Sequence, residues 1–452
     1  MRDILVIGIV VLGALIALRR PWVGVMLWIW ISIMNPHRYT YGFAYDAPVA
    51  AIAAASTLVG LLLTRDREHP FKGAAPVLLF LLMVWMTFSW LMGLGPEGDY
   101  PQWDKVMKID LMVLVGLMLL RTKLHIFMLV WVCTMSLALL GAKGGLFTIA
   151  NAGNYRVWGP PLSFIADNNH FALALVMTIP LLRFLQLQLA NGWARATMTL
   201  LMLLLAAAAL GSHSRGGLLA LVGMSLVLWW RGRSRVLGGM VIFFAALALF
   251  AFMPEHWTER MATMESYADD RSALGRFSAW WVSWRVAFDY PFGVGFNLAR
   301  PELFARYSPY PEIGTYVAHS IYFQILGHHG FFGLFLFMAI WVITWWNASR
   351  LMQEAASLPQ AKWCADLAAM CQVALVGYLV GGAFLSLAYF DLPYYIMSMV
   401  VLARMWVRHR RWEQEPTKLN RWQVALGLGS SNGARAPDRP PPVSVLGAGS
   451  PR

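Results

Sequence analysis

Apolar runs recur along almost the whole chain at about the 14–22 residues that a bilayer asks of a helix, each broken by a short polar connector. The pattern places spans near 4–18, 22–34, 47–64, 76–94, 107–120, 125–145, 167–187, 196–212, 216–230, 236–253, 318–346, 364–390 and 393–407. Several are short, so the count is twelve or thirteen. The connectors alternate in kind. Those at 19–20, 65–72, 121–123, 183–195, 231–235 and 408–411 are short and basic, as cytoplasmic loops are. Connections 35–46, 95–106, 146–166 and 254–317 then face the other side. The fold expected is all-α: a polytopic transmembrane helical domain over 1–408, of about 12 spans, with one large periplasmic loop at 254–317 that carries interfacial helices. Residues 409–452 form a cytoplasmic tail, mostly disordered and rich in Gly, Pro and Ser from Gly429 onward.

Composition sharpens this picture. Hydrophobic residues make up 59% of the chain and charged residues 13%, roughly half the charge of a soluble domain. That much apolar surface needs lipid as its solvent. The formal +13 is spread over the basic connectors and builds no folded basic domain, so nucleic acid is not an expected partner. The first span is followed by Arg19-Arg20 and no small-residue cleavage site, so it reads as a retained span. Cys133, Cys364 and Cys371 lie in or beside apolar runs, with no metal spacing, and read as packing residues.

The 254–317 loop is too aromatic to be a disordered linker: it holds Trp257, Tyr267, Phe277, Trp280, Trp281, Trp284 and Phe288. The last five recur at helical spacing and predict an amphipathic helix over 273–289 lying at the bilayer surface, ended by Pro291 and Gly293-Val294-Gly295. Those glycines lack the lysine and the strand-turn-helix context of a nucleotide loop.

Three clusters carry candidate chemistry. In Ser212-His213-Ser214-Arg215-Gly216-Gly217 two spans meet with almost no loop, which pins Arg215 at the outer interface. Its plain alternative is a snorkelling arginine, yet arginine is uncommon on that side. In Ala318-His319-Ser320-Ile321-Tyr322 a helix enters the membrane directly after the long loop. Spacings of three and four put His319, Tyr322, Leu326, Gly330 and Gly333 on one face: a proton acceptor, a hydroxyl one turn deeper, then small residues for close packing. Asn154 to Pro161, with Arg156, leads to Asp167-Asn168-Asn169-His170 at another helix mouth. Those side chains suit sugar hydroxyls or a simple helix cap equally.

Taken in this order, the segments over about 150–390 resemble the O-antigen ligase and polymerase superfamily, through Ser214-Arg215-Gly216, Gly275-Arg276 with Trp280 to Gly295, and His319-Ser320-Ile321-Tyr322 followed by Gly330 and Gly333. Asn154–Pro161 and Asp167–Ala172 look like the exosortase-associated O-glycosylation ligases within it. An acidic residue is common in the family where this chain has His328, which puts an acid/base role at that position in doubt.

The resemblance implies a glycosyltransferase of lipopolysaccharide biosynthesis in the bacterial inner membrane. It would move a glycan from undecaprenyl diphosphate to lipid A-core oligosaccharide at the periplasmic face, without metal or cofactor. Arg215 and Arg276 would bind the diphosphate, and His319 would sit at the reacting centre. Arg156, Asn168, Asn169 and Tyr322 are the expected substrate contacts. A glycan polymerase or a protein O-oligosaccharyltransferase would share the donor chemistry and differ in acceptor. A lipid-linked glycan transporter is the alternative from another class. Against it, no paired ionisable residues and no repeat of broken helices are expected in the membrane centre.

Overall fold

Helices account for most of the computed structural model, which describes residues 1–232, 236, 239–240, 271–415 and 420–429, with no strand among them. Most of the expected 236–253 span, the loop up to residue 270 with Trp257 and Tyr267, and the tail beyond 429 lie outside the described residues.

The helices in chain order are α1 (Arg2–Arg19), α2 (Pro21–Met34), α3 (Val49–Leu63), α4 (Ala74–Leu91), α5 (Pro96–Leu119), α6 (Lys123–Ala150), α7 (Asn168–Gln188), α8 (Gly192–Gly211) and α9 (Arg215–Arg231). Then follow α10 (Arg271–Asp289), α11 (Pro301–Tyr307), α12 (Ile321–Ala355), α13 (Lys362–Gly382), α14 (Asp391–Arg408) and the short α15 (Arg421–Ala425). Among the described residues six segments are long and apolar enough to cross a membrane: α4, α6, α7, α8, α12 and Pro359–Gly382, which takes in α13. Two more, α2 and α3, are apolar but shorter. This is a multi-pass membrane protein. α7 is its central post, with Phe171 to Leu182 buried almost without interruption, and the three cysteines are buried packing groups.

The connectors sort to two ends of the bundle. At one, Glu68 accepts from Arg411 and pairs with Lys72 at 2.8 Å, while Glu354 holds Arg404 at 2.8 Å and Arg408 at 3.1 Å. The basic connectors thus meet one another. At the other end Asp99, 4% exposed, accepts from Phe296 N at 2.8 Å and Arg300 Nη2 at 3.2 Å, so the 95–106 stretch meets the long loop.

Three expectations about element bounds need correction. The 95–106 connection is helical: Pro96 starts α5, and Glu97 and Asp99 in the first turn favour its positive end. The span expected at 364–390 stops at Gly382, and 383–390 is an irregular buried segment whose backbone is answered by side chains. Gln324 Oε1 accepts from Ala388 N at 3.2 Å, and Tyr394 OH donates to Ala388 O at 2.9 Å. Non-helical backbone at such depth survives only when it is satisfied in this way. The third concerns the expected stripe of His319, Tyr322, Leu326, Gly330 and Gly333. α12 begins at Ile321, so His319 precedes it in a left-handed conformation (φ +44), and Gly330 (φ +68) interrupts the helix.

The interruption has a cause. The chain at 291–295 lies against Gly330, where an added Cβ would fall 2.4 Å from Pro291 O. The freed carbonyls take new donors: Gly295 N (3.1 Å) and Ser89 Oγ (2.9 Å) reach His328 O, and Trp85 Nε1 (2.8 Å) reaches His329 O.

α10 is amphipathic, as its spacing predicts. Ala279, Val282 and Val286 pack on Val294, Leu298, Leu303 and Phe304, while Phe277, Trp281, Trp284 and Phe288 form an exposed aromatic stripe. Trp280 belongs to the inner face: it stacks on Phe323 at 5.1 Å and donates to Ala318 O at 2.6 Å.

Candidate active site

Four chain segments converge at the end of the bundle that carries the long loop. The first is the α7 N-terminus. Asp167 is its N-cap and accepts from Asn169 N and Asn169 Nδ2, each at 2.9 Å. Here the plain capping role is correct for Asp167, and Asn169 is bound to the cap. Asn168 is buried and donates from Nδ2 to Ser212 O at 2.6 Å, so it is a strut to the second segment.

That second segment is the turn between α8 and α9. Ser214 caps α9 by accepting from Gly217 N at 3.0 Å, and His213, left-handed at φ +56, reaches Gly153 O through Nε2 at 2.8 Å. Gly217 is required by contact, because a Cβ there would lie 2.7 Å from that of Ala172 on α7. Arg215, the first residue of α9, is half-buried on this turn.

Arg276 on α10 is also half-buried. It is held against the 316–323 stretch by its neighbours: Gly275 lies so close to the Tyr316 ring that a Cβ would fall 2.4 Å from it, and Trp280 is bonded to Ala318 O.

His319 is the fourth element. Its imidazole pKa is lowered to about 4, first by burial and then by the charge of Arg276 and by His170, while Asp167 acts in the opposite sense. The field at His319 therefore identifies its neighbours: Arg276 from α10, and His170 and Asp167 from the mouth of α7. An imidazole with that pKa is neutral near pH 7 and can accept a proton. Two buried polar atoms nearby lack hydrogen-bond partners among the described residues, namely Ser320 Oγ, next to His319, and His170 Nε2. Buried polar atoms are seldom left so.

The expected site residues thus divide. Arg276 and His319 come together, and Arg215 stands on a turn strapped to the same α7 mouth by Asn168. Arg156 is exposed, on the stretch that Val157 N, bonded to Gly211 O at 3.1 Å, ties to the α8 end. Tyr322 OH donates to Leu379 O at 2.8 Å, which turns it toward α13. His170 was legible inside the Asp167–Ala172 motif, one turn from Asp167 and on its face, but only the fold brings it to His319. Beside Trp280 runs an open groove of about 640 Å³ lined by Phe277, Trp281, Trp284, Tyr310 and Phe323.

Two family models match the sequence. Residues 200–338 match the one described as O-Antigen ligase, and residues 1–191 match the one described as a family of unknown function (DUF5935). No curated protein matches the chain. The first match contains Arg215, Arg276, His319 and Tyr322, whereas Arg156, Asn168 and Asn169 fall in the second.

Proposed function

We infer, taking as premise that residues 200–338 make this chain a member of the O-antigen ligase superfamily, that the protein is a metal-independent glycosyltransferase of the inner membrane. It moves a glycan from undecaprenyl diphosphate to lipid A-core oligosaccharide at the periplasmic face. The observation that carries this reading is the meeting of Arg276 and a neutral His319 at the α7 mouth, inside the matched domain.

The chemistry follows from these groups. An acceptor hydroxyl attacks the anomeric carbon of the donor, and the bond from that carbon to the diphosphate oxygen breaks. His319 takes the hydroxyl proton as attack proceeds, help worth about 10²–10⁴-fold. The departing diphosphate gains negative charge, which Arg215 and Arg276 meet with fixed forks of donors that stay charged throughout. Preorganised charge of this kind is often the largest catalytic contribution. The leaving group needs no proton, so one base suffices. The aromatic groove beside Trp280 is apolar and open, and suits the polyprenyl chain next to the diphosphate.

The test uses purified protein with lipid-linked donor and lipid A-core. Arg276→Ala and Arg215→Ala should each abolish transfer while the protein still inserts, with Arg→Lys recovering only part. Normal transfer by either alanine variant removes that arginine from the site. Transfer that needs a different acceptor, another glycan chain or a protein, moves the protein to a sister activity.

A further inference from the structure

A second polar cluster lies among α2, α5 and α14, and the ligase chemistry makes no use of it. Asp110 on α5 and Asp391 at the start of α14 are each 1% exposed. The helices that carry them pack against each other, and the Asp391 carboxylate acts on Asp110. The two are not equally served. Asp391 Oδ2 accepts from Ser32 Oγ of α2 at 2.5 Å and feels the Lys105 ammonium. Asp110 Oδ2 has no hydrogen-bond partner among the described residues.

Independent evidence of an unmet ligand comes from Tyr395, one turn along α14 from Asp391. It is 1% exposed, its hydroxyl is likewise unpartnered, and it lies in the field of both carboxylates. Trp28 of α2 approaches that hydroxyl, yet its indole N–H forms no hydrogen bond.

The charges around the pair do not balance. α5 contributes Asp110 and Lys105, α14 contributes Asp391, and α2 contributes only Ser32 and Trp28. From α6, Cys133 lies near Asp391, while Lys143 stands over the Tyr39 ring at 5.5 Å. Beyond α2, Arg38 is paired with Asp46 at 2.9 Å. Among the described residues the cation that reaches the pair is Lys105, which also stands 3.9 Å over the Phe164 ring. Were both carboxylates ionised beside one ammonium, a single negative charge would be left buried, and an uncompensated charge at such depth is costly.

We propose that Asp110, Asp391, Ser32 and Tyr395 form a binding site for one small monovalent cation, sodium. The donor atoms are all hard oxygens, which suit such an ion and not a soft metal. No group of three or more His, Cys, Asp or Glu among the described residues is arranged to hold a metal ion, so a polyvalent site is not built here. One sodium ion restores charge balance and supplies partners to Asp110 Oδ2 and the Tyr395 hydroxyl together. It joins the last helix to α5 and α2.

The experiment measures thermal unfolding of the purified full-length protein in detergent. Sodium chloride is raised against choline chloride at constant ionic strength and fixed pH. Sodium should raise the midpoint saturably, on the order of 3–5 °C, and Asp110→Asn should remove that rise. Binding of radioactive sodium to the wild-type protein, near one ion per chain, decides the matter even where the variant does not fold. Absence of a sodium-specific rise with no bound sodium overturns the site. So does a rise of equal size in Asp110→Asn, or a midpoint that answers to pH and not to sodium, which would mean that a proton occupies the pair.

Discussion

The chain leaves helical geometry at both His319 and Gly330, and the two places are built to opposite ends. At Gly330 every polar group freed or introduced is answered from within. His328 O and His329 O find Gly295, Ser89 and Trp85; His328 Nδ1 and His329 Nε2 both reach Tyr389 OH, at 2.8 and 2.7 Å; and His329 Nδ1 meets Ser89 Oγ at 3.0 Å. At the mouth of the same helix, Ser320 makes no side-chain cap and its buried Oγ has no partner among the described residues, and neither does His170 Nε2. Both regions hold histidines in low-dielectric surroundings. The difference lies in satisfaction: a closed network holds the backbone in place, whereas an open one can receive a substrate. His328 and His329 are thus held in a closed network, and His319 is the histidine that the proposed chemistry uses.

The comparison breaks most sharply at the two histidines. His319→Ala should lower transfer by about 10²–10⁴-fold and leave the unfolding midpoint close to wild type. His329→Ala should do the reverse, losing stability first, because Tyr389 and Ser89 are left short of partners. Initial rates alongside melting curves of the two purified variants test it. A rate collapse in a fully stable His329→Ala would mean that the deeper network takes part in the chemistry. His319→Gln adds a finer cut, since glutamine donates and accepts hydrogen bonds but takes up no proton. Turnover near wild type in that variant would make His319 a positioning residue.

The next effect falls on the break itself. Gly330→Ala forces a side chain into a left-handed conformation and against Pro291 O. The conformation alone costs about 1–3 kcal/mol, and the clash adds to it, so the melting midpoint should drop or the protein should fail to accumulate. An alanine variant with an unchanged midpoint would show that the 291–295 segment gives way freely. Tyr389→Phe is milder. It removes the hydroxyl shared by both imidazoles and should cost about 1–3 kcal/mol, read as a lower midpoint, while transfer at a permissive temperature changes little.

The legibility of these regions in sequence follows the same divide. Helices are readable because apolar runs are local signals, and the α10 stripe shows its period directly. The helical stripe running down from His319 was misjudged, because spacings of three and four assume unbroken helix. Nothing within 318–333 announces that Pro291–Gly295 will press against Gly330; that contact is non-local. The end of α13 was missed for a related reason. Residues 383–390 are apolar enough to read as span, and Gln324 of α12, Tyr394 of α14 and Tyr378 near the end of α13 answer the irregular backbone there. Tyr322 had the right residue type at the right spacing and was claimed by a carbonyl on another helix.

The smallest expected effect is an absence of change, and it separates the two regions by pH. His319 has its pKa lowered to about 4 in the folded protein, burial being the main cause. The sign is that of a base held neutral by the fold. In the unfolded chain, with a histidine pKa of about 6.5, the proton binds first as pH falls. The stability contributed by the neutral form is therefore complete above about pH 6.5 and is lost progressively as pH approaches 4. On the proposed mechanism, catalysis by the free enzyme should follow the same group. Between pH 7 and pH 5 an ordinary histidine would lose its neutral fraction by about 20-fold or more, whereas His319 stays almost wholly neutral. kcat/KM for transfer should then change less than about twofold over that range and fall only as pH nears 4. Replacing Arg276 removes a positive neighbour and should move the acidic limb of the profile upward, though not to the ordinary value, because burial remains. That shift must be read from the residual activity of Arg276→Lys against a glutamine variant, or from histidine resonances of the Arg276→Ala protein. A wild-type profile bending near pH 6.5 would mean that His319 is solvated in the working enzyme, and the contrast with the closed network at Gly330 would then fail at its open end.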